Sequence, residues 1–313
     1  MKKALNILVT GCGGDIGQSV GKILNKLGHN SFGIDISDKN AAQFIFNHFD
    51  IGPKVSDKNY VDDLENYVLK NKIDFIIPVS EHELRFFTNQ YSNSPIIGGA
   101  KMIMANQLSR EIGFNKKETA LFLKENNLPN PTLYTLNSTD ITFPLIAKPN
   151  TGAGSANIFI VKDKEELKYL ATKNENLIFQ ELLDGSEGEF TCCVFKSKNT
   201  KLESIIFKRE LTAGGYSGYG EVVEDPRIEN LLVSVAQLLD LEGSINIQLR
   251  IHNGLPVIFE INPRFSSTIL FRHLLGYKDL EWSIQAFLGE VISEYTKPKA
   301  GKRFYKGFNE YIA

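Results

Sequence analysis

The chain has 313 residues, of which 42% are hydrophobic and 23% charged, and its formal net charge is −2 at pH 7. This length accommodates two or three domains with cores of their own, and the composition is that of an ordinary soluble globular protein. The near-zero charge provides no overall attraction for nucleic acids or anionic membranes, so we expect neither as a partner. Three cysteines without metal-ligand spacing, a strand in place of a signal peptide and no long apolar run predict a cytoplasmic protein.

The first third of the chain has the pattern of an α/β unit with a parallel sheet. An apolar strand at residues 5–10 runs into a glycine turn, and a segment with helical spacing follows. Gly11, Gly14 and Gly17 fit the G-x-x-G-x-x-G turn of some reductases and epimerases. The stricter dinucleotide fingerprint needs a glycine where Ile16 stands. The turn therefore leaves nicotinamide binding open, beside the plainer interpretation that glycine only permits a tight strand-to-helix turn.

Three polar residues follow a second apolar strand, at residues 74–79. They are Glu81, His82 and Glu83, and they come at the carboxyl end of the strand, where open α/β sheets bind ligands. The alternative is that Glu81 or Glu83 stabilises the first turn of the next helix. The sequence does not decide between these two interpretations.

A lysine-bearing strand and a glycine-rich loop follow a predicted domain boundary near residues 97–99. Lys148 lies in the strand, and Thr151–Ser155 reads Thr-Gly-Ala-Gly-Ser. Backbone N–H groups of such loops can cradle phosphates, and a lysine adds positive charge. The two features together predict a nucleoside triphosphate site, with a loop from Thr151 to Ala156 that is mobile until nucleotide binds.

Polar side chains close the apolar segment that begins at Val257. Glu260, Asn262 and Arg264 are spaced two apart, so they share one face of a strand, which Pro263 ends because it has no N–H to donate. A carboxylate beside an amide oxygen suits Mg²⁺, and a guanidinium binds phosphate in a fork geometry. This strand end therefore predicts a magnesium and phosphate site.

The preceding strand, residues 244–251, faces the same segment across Asn253-Gly254, a strong hairpin signal. A two-residue turn pairs His252 with Leu255 and is expected to put Gln248 and Glu260 on opposite faces. A three-residue loop with Gly254 at positive φ instead pairs Gln248 with Glu260 and Asn246 with Asn262. We predict the three-residue loop, because only that register gathers the polar groups on one face.

In chain order, these features resemble the ATP-grasp superfamily, and its carbamoyl-phosphate-synthase-like ligases in particular. The Glu-x-Asn-Pro-Arg element is specific, and the resemblance covers nearly the whole chain. Asn115 departs from the family pattern where an aspartate usually precedes the first lysine, and Gln248 is neutral where many relatives have an acid. The matching elements are Lys116, Lys148 before Gly152-Ala-Gly-Ser155, Gln180 to Leu183, Glu189, Gln248 and Glu260-Ile-Asn-Pro-Arg264.

The resemblance implies ATP and Mg²⁺ as cofactors, with Mn²⁺ as an alternative ion, and a role for each matching residue. The ATP phosphates would be bound by Lys116, Lys148, Gly152, Gly154 and Ser155, adenine by the backbone of Glu181 and Leu183, and ribose by Glu189. The metal ions would be bound by Gln248, Glu260 and Asn262. The catalytic residues would be Arg264, Lys148 and Arg209, with Lys208 as the alternative to Arg209.

The implied fold class is α/β. A Rossmann-like parallel-sheet domain is expected at residues 1–98, followed by a two-lobed α+β ATP-grasp domain at residues 99–296. The small, mobile lobe is expected at residues 132–184. Residues 211–220 are predicted to form a glycine- and tyrosine-rich loop. Residues 297–313 are expected to form a C-terminal tail, whose basic run at residues 297–303 is predicted to be a solvated end.

The implied activity is that of an ATP-dependent ligase, which activates a carboxylate as an acyl-phosphate and joins it to an amine. Its partners would be small-molecule carboxylate and amine substrates, with a homodimer left open. The alternative is a nicotinamide-dependent reductase or epimerase, since Tyr169 and Lys173 have Tyr-x-x-x-Lys spacing with Ser155 upstream. That alternative leaves Lys148 and the Glu-Ile-Asn-Pro-Arg element unexplained. A third class, a nucleotide-sensing module without chemistry, also stays open.

Overall fold

The structure is a computed structural model that describes residues 4–152, 157–198, 202–307 and 309–312. Over this part of the chain, the strands form three sheets of six, four and six strands. No helix among the described residues is long and apolar enough to cross a membrane.

The first sheet carries helices on both faces. Its parallel strands alternate Ile7 and Val9 toward α1 and Leu8 toward the opposite helices, so both faces are apolar. Its elements are β1 (Asn6–Thr10), α1 (Asp15–Lys26), β2 (Asn30–Asp35), a 3₁₀ helix (Ala41–Phe44), β3 (His48–Ile51), α2 (Tyr60–Asn71), β4 (Phe75–Pro78), α3 (Glu81–Gln90), β5 (Ile96–Ile97) and β6 (Ala100–Met102). The strand order is β3-β2-β1-β4-β6-β5, and only β5 and β6 pair antiparallel.

The first sheet extends beyond the predicted boundary at residue 98. β6 pairs in parallel with β4, Phe75 lying opposite Lys101, and the tight turn at Gly98 and Gly99 only reverses the chain between β5 and β6. Both glycines have positive φ, the conformation such a turn requires. The glycine pair that suggested a boundary is therefore a hairpin turn inside the sheet.

The second sheet forms a small lobe with its own core. Two helices, α4 (Gln107–Gly113) and α5 (Lys116–Glu125), precede it. The lobe consists of β7 (Leu133–Tyr134), β8 (Leu145–Pro149), β9 (Phe159–Val161), α6 (Lys164–Lys173) and β10 (Leu177–Glu181), with strand order β7-β10-β8-β9. Leu145, Val161 and Leu167 are fully buried between the sheet and α6. All of these elements fall within residues 132–184.

The third sheet is antiparallel and forms the large lobe. Its elements are β11 (Glu189–Lys196), β12 (Glu203–Leu211), β13 (Ser217–Val222), α7 (Pro226–Leu238), β14 (Gly243–His252), β15 (Leu255–Asn262), α8 (Ile269–Leu274), α9 (Asp279–Leu288) and β16 (Arg303–Tyr305), in the strand order β15-β14-β11-β12-β13-β16. The predicted class, a parallel-sheet α/β unit followed by a two-lobed α+β unit, is confirmed.

Two segments of the large lobe differ from the prediction. Residues 217–222 form β13, so the second half of the predicted loop is a strand, which pairs with β12 after a register shift at Leu211. The C-terminal tail contains a strand that the sequence did not predict, because residues 303–305 pair with β13 as the edge strand β16. Phe304 is buried there, its ring stacked 4.2 Å from that of Phe271.

The β14–β15 hairpin has the predicted polar register with a different turn. Gln248 lies opposite Glu260 and Asn246 opposite Asn262, as predicted. The predicted three-residue loop is wrong. His252 pairs with Leu255 across a two-residue turn with both central residues at positive φ, which Asn-Gly tolerates. The extra residue that restores the polar register is Phe259, in a β-bulge further along β15.

Candidate active site

A cavity of about 1100 Å³ lies between the first sheet, the small lobe and the large lobe. Every predicted site residue that the structure describes lines this cavity, whereas Gly154, Ser155 and the rest of the loop after Gly152 lie outside the described residues. The lining residues from the prediction are Lys116, Lys148, Gly152, Glu181, Leu183, Glu189, Arg209, Gln248, Glu260, Asn262 and Arg264. The prediction therefore named residues that fold together, although their roles stay predictions.

Lys148 reaches the large lobe from β8 of the small lobe. Its side chain is buried, and Nζ donates a hydrogen bond to the carbonyl oxygen of Phe259 at 3.2 Å. The bulge at Phe259 interrupts the ladder there, beside the predicted site. Burial lowers the pKa of Lys148 to about 8, and the nearby Glu260 carboxylate acts in the opposite direction. A buried ammonium with a single carbonyl acceptor is suited to an incoming anion.

Lys116 is the first residue of α5, and its side chain contacts both the glycine-rich segment and the end of β15. Its Nζ donates to the carbonyl oxygen of Gly152 at 2.7 Å and lies 3.8 Å from a carboxylate oxygen of Glu260. The preceding Asn115 caps the helix, its side chain accepting the N–H groups of Lys117 and Glu118. Asparagine caps a helix as well as aspartate does, so this departure from the family pattern leaves Lys116 in position.

Two arginines hold the carboxylate of Glu189. Arg209 donates to one oxygen at 2.8 and 3.1 Å, and Arg250 donates to the other at 2.8 and 2.9 Å. Arg209 also donates to Oε1 of Gln248 at 2.7 Å, and Arg250 to the carbonyl oxygen of Leu183 at 2.8 Å. Both carboxylate oxygens of Glu189, the residue predicted to bind ribose, thus already accept hydrogen bonds from arginine side chains.

The sequence analysis missed Arg250. The available signal was the alternation along β14, where Asn246, Gln248 and Arg250 are spaced two apart and share a face. All three line the cavity. The side-chain amide nitrogen of Asn246 is buried and has no partner among the described residues, and its oxygen accepts from Thr191 at 2.9 Å.

Arg264 lies two residues after the end of β15. Burial lowers its pKa, and the carboxylates of Glu81 and Glu260 act in the opposite direction. One of its terminal nitrogens donates to the carbonyl oxygen of Phe265 at 3.0 Å, and Nε is buried without a partner among the described residues. Such a guanidinium has donors to spare for a bidentate anion.

The donor set at this strand end fits one Mg²⁺ ion. Glu260 supplies a carboxylate and Asn262 an amide oxygen, which are hard ligands, and a nucleotide would supply phosphate oxygens. The described residues contain no group of three or more His, Cys, Asp or Glu side chains that could hold a metal by themselves. The amide oxygen of Gln248, the third predicted ligand, is occupied by Arg209. A second ion at Gln248 would require Arg209 to release it.

The segment that joins the small lobe to the large lobe, residues 181–184, is held in place by His252 at the turn of the β14–β15 hairpin. Glu181 in β10 accepts the N–H of Thr132 at 3.1 Å, and Nε2 of His252 lies 3.4 Å from its carboxylate. The N–H of Asp184 donates to Nδ1 of His252 at 3.1 Å. The predicted adenine-binding backbone around Leu183 is therefore held against β14.

Sequence comparison identifies the part of the chain that carries this site. Residues 114–268 match the model of the ATP-grasp domain family.

These residues form an ATP-grasp domain.

The ATP-grasp domain and its flanks are similar in sequence to two curated ligases or synthases. One is the C-terminal section of the carbamoyl phosphate synthase large chain of Aquifex aeolicus (strain VF5), 27% identical over 186 residues, which are 54% of this chain and 34% of that protein. The other is the D-alanine–D-alanine ligase of Bacillus anthracis, 25% identical over 181 residues, which are 50% of this chain and 59% of the ligase. The chain thus spans less than two thirds of the length of either relative.

Solved structures with the same fold extend beyond the ATP-grasp domain to nearly the whole chain. The biotin carboxylase domain of 2-oxoglutarate carboxylase from Hydrogenobacter thermophilus, in complex with MgADP, ADP and bicarbonate, has a TM-score of 0.74 at 15% identity and covers 94% of this chain and 72% of that one. An L-amino acid ligase from Bacillus licheniformis has a TM-score of 0.68 at 16% identity and covers 91% and 74%. At such identities the likeness shows the fold.

The features behind the reductase alternative have structural explanations. The N–H of Gly13 donates to Asp35 at 2.8 Å, and a Cβ at this position would lie 2.7 Å from the amide of Asn40, so these two side chains pack against this part of the turn. A Cβ at Gly17 would lie 2.5 Å from the backbone of Cys12, so the packing of the turn already requires glycine at this position. Tyr169 is exposed on α6 of the ATP-grasp domain.

The two carboxylates left open by the sequence have different surroundings. Glu83 is buried and accepts a hydrogen bond from the hydroxyl of Tyr60, and burial raises its pKa. Glu81 is partly exposed and accepts the N–H of Gly152 at 3.0 Å. Neither carboxylate caps α3. Of the two, only Glu81 contacts the ATP-grasp domain through a hydrogen bond.

Proposed function

We propose that the protein is an ATP-dependent ligase, which phosphorylates a carboxylate and then joins the acyl group to an amine, with release of ADP and phosphate. The observation that carries the proposal is the convergence of Lys116, Lys148, Arg264 and Glu260 in one cavity. Three cations and one carboxylate in that arrangement suit a triphosphate with a divalent ion far better than an uncharged ligand.

The proposed nucleotide lies along the cavity, from the segment at Leu183 to the strand end at Glu260. Lys116 and Lys148 hold the phosphates, since Lys148 is buried and its one hydrogen-bond acceptor among the described residues is a carbonyl oxygen. Glu260 and Asn262 hold Mg²⁺, for which Mn²⁺ can substitute because it accepts the same oxygen ligands. When bound, the ion neutralises phosphate charge. Glu189 binds ribose only if one of its two arginines moves.

In the proposed reaction, a carboxylate oxygen of the first substrate attacks the γ-phosphorus of ATP, and the bond to ADP breaks. Lys148 and Arg264 stabilise the negative charge that develops on the transferred group. The nitrogen of the amine then attacks the acyl carbon, phosphate leaves with the bonding electrons, and an amide forms. The nitrogen loses a proton in this step.

The proposed substrates are small molecules that enter the end of the cavity remote from Leu183. That end is lined by the glycine turn at Gly14, by Ser267 and by the segment at Tyr216. These groups come from the first unit and the large lobe, so both contribute to specificity. The names of the D-alanine–D-alanine ligase and the L-amino acid ligase support a reaction that joins small molecules.

The test is a screen for phosphate release with Mg·ATP and a panel of carboxylic acids and amines. For each active pair, the acid is labelled with ¹⁸O in its carboxylate. The proposal predicts ADP and phosphate as products, with one labelled oxygen carried into the phosphate, because the acyl-phosphate bond forms through that oxygen. Formation of AMP and pyrophosphate, or phosphate without label, would contradict the acyl-phosphate.

A further inference from the structure

Glu81 connects the first unit to the ATP-grasp domain at the phosphate end of the cavity. It begins α3 at the carboxyl end of β4, and Oε1 accepts the N–H of Gly152 at 3.0 Å. The carbonyl oxygen of the same glycine accepts from Lys116 at 2.7 Å. One residue of the predicted phosphate-binding segment is therefore held from both sides, by a carboxylate and by an ammonium.

Glu81 lies in the first turn of α3, where a negative charge is favourable, but its hydrogen bond leaves the helix. Ser80 is the N-cap residue of α3, and the cap makes no side-chain hydrogen bond. Glu81 bonds to a residue 71 positions away in another unit. It is also one of the two carboxylates that act on the buried guanidinium of Arg264, the other being Glu260. Glu81 thus lies near both Gly152 and Arg264, between Ser80 and His82, which line the cavity.

A carboxylate at the N–H of Gly152 occupies a position suited to a phosphate oxygen. Both are anions that accept from backbone N–H groups, so nucleotide and Glu81 compete for the same donor and for Arg264. Once the triphosphate is bound, the displaced carboxylate lies beside another anion, which is unfavourable unless a cation comes between them. The amine substrate, which is an ammonium ion at neutral pH, is such a cation.

We infer that Glu81 is a catalytic residue on the amine side of the site, which gives up Gly152 to the nucleotide and then binds the ammonium form of the second substrate. The inference rests on the proposed ligase function. Glu81 accepts one proton from the ammonium group, which leaves the nitrogen with the lone pair that attacks the acyl carbon. Phosphate departs with the electrons of the broken C–O bond and takes up the second proton that the nitrogen loses, so no further reactant is needed.

The decisive variant is Glu81→Gln, which keeps an oxygen for the N–H of Gly152 but removes the negative charge and the base. Two measurements are expected to change in opposite directions. The dissociation constant of a nonhydrolysable Mg·ATP analogue, measured by calorimetry, should fall roughly three- to tenfold as the competing charge is lost. The value of kcat/KM for the amine should fall about 100-fold or more, as expected for loss of a general base.

Opposite changes distinguish this role from a structural one, because a damaged site binds nucleotide more weakly and also turns over more slowly. Glu81→Ala should give the same two signs, and Glu65→Gln, at an exposed position on α2 of the same unit, should alter neither value. Equal or weaker nucleotide binding in both Glu81 variants, or normal turnover in Glu81→Gln, would overturn the inference alone. A wild-type protein that binds no Mg·ATP analogue would overturn the proposed function as well.

Discussion

At the scale of single residues, the fold itself buries the amine of Lys148. Its side chain is 7% exposed and its pKa is lowered to about 8 by burial. In an unfolded chain the pKa of a lysine is near 10.4, so its amine stays protonated up to about that pH. Between these two values the unfolded state holds more protons than the folded state, so Lys148 makes stability rise with pH in that window.

Nucleotide affinity should change with pH in the opposite sense, because the triphosphate binds the protonated amine. We expect the affinity of a nonhydrolysable Mg·ATP analogue to be steady below about pH 8 and to fall above it, by up to about tenfold per pH unit. Calorimetric titrations on both sides of that value measure this. Lys148→Met should bind more weakly and lose the dependence. A wild-type affinity that is constant through pH 8 would show that Lys148 does not contact the phosphates.

Glu260 is the one carboxylate in the proposed metal donor set, and its loss should abolish turnover without unfolding the protein. Glu260→Gln keeps the shape of the side chain opposite Gln248, but the charge that holds Mg²⁺ against the phosphates is gone. We expect kcat to fall by about two to three orders of magnitude and the circular dichroism spectrum to be unchanged.

The matched control for Glu260→Gln is Glu229→Gln, on α7. Its carboxylate pairs with Lys297 at the surface, where both side chains are about half exposed, so the pair contributes little to stability. This variant should behave as the wild type in both assays. Near-normal ATP turnover in Glu260→Gln would contradict the metal assignment.

At the scale of elements, β16 is held to the large lobe by its pairing with β13 and by one buried side chain, that of Phe304. Phe304 is buried, stacked on Phe271 and in edge contact with Phe207. Phe304→Ala should lower the free energy of unfolding by about 3 kcal/mol, measured by urea denaturation. Tyr305→Ala, at the neighbouring exposed position, should cost far less. Equal effects of the two substitutions would mean that Phe304 is not packed against the large lobe.

The turn of the β14–β15 hairpin depends on glycine for its backbone rather than for space. Gly254 has φ +75°, and a Cβ there would meet nothing within 4 Å. Gly254→Ala should therefore destabilise the protein by about 1 kcal/mol through the left-handed conformation alone. Gly307→Ala, at an equally open position without positive φ, should be close to neutral. Similar unfolding free energies for both variants would contradict the turn assignment.

The hairpin also illustrates what the sequence could and could not supply. The two-residue spacing of Glu260, Asn262 and Arg264 was enough to place them on one face, and the demand that they face Gln248 gave the right register. The position of the extra residue was not predictable. Asn-Gly suits a two-residue turn as well as a three-residue loop, so the sequence did not show whether the extra residue lies in the turn or further along β15. The bulge forms at Phe259, whose carbonyl oxygen Lys148 reaches from another lobe, a contact between distant segments.

At the scale of the whole molecule, the cavity belongs to no single unit. The first sheet supplies Gly14, the small lobe Lys148, and the large lobe Gln248 and Glu260. Sequence patterns placed each residue on its own strand or loop, and the family resemblance supplied their convergence. Sequence patterns could not show that cationic side chains already donate to acceptors in the site, as Arg209 does to Gln248. Such a contact depends on how side chains from separate strands meet in the fold.

The central claim is that this shared cavity binds ATP with a divalent ion, and thermal unfolding tests it most directly. Ligand that binds only the native state raises the melting temperature by mass action, by several degrees at saturating concentration. The account predicts a rise with Mg·ATP, a smaller rise in Glu260→Gln, and none with NAD(H) or NADP(H). A rise with a nicotinamide cofactor and none with Mg·ATP would contradict it.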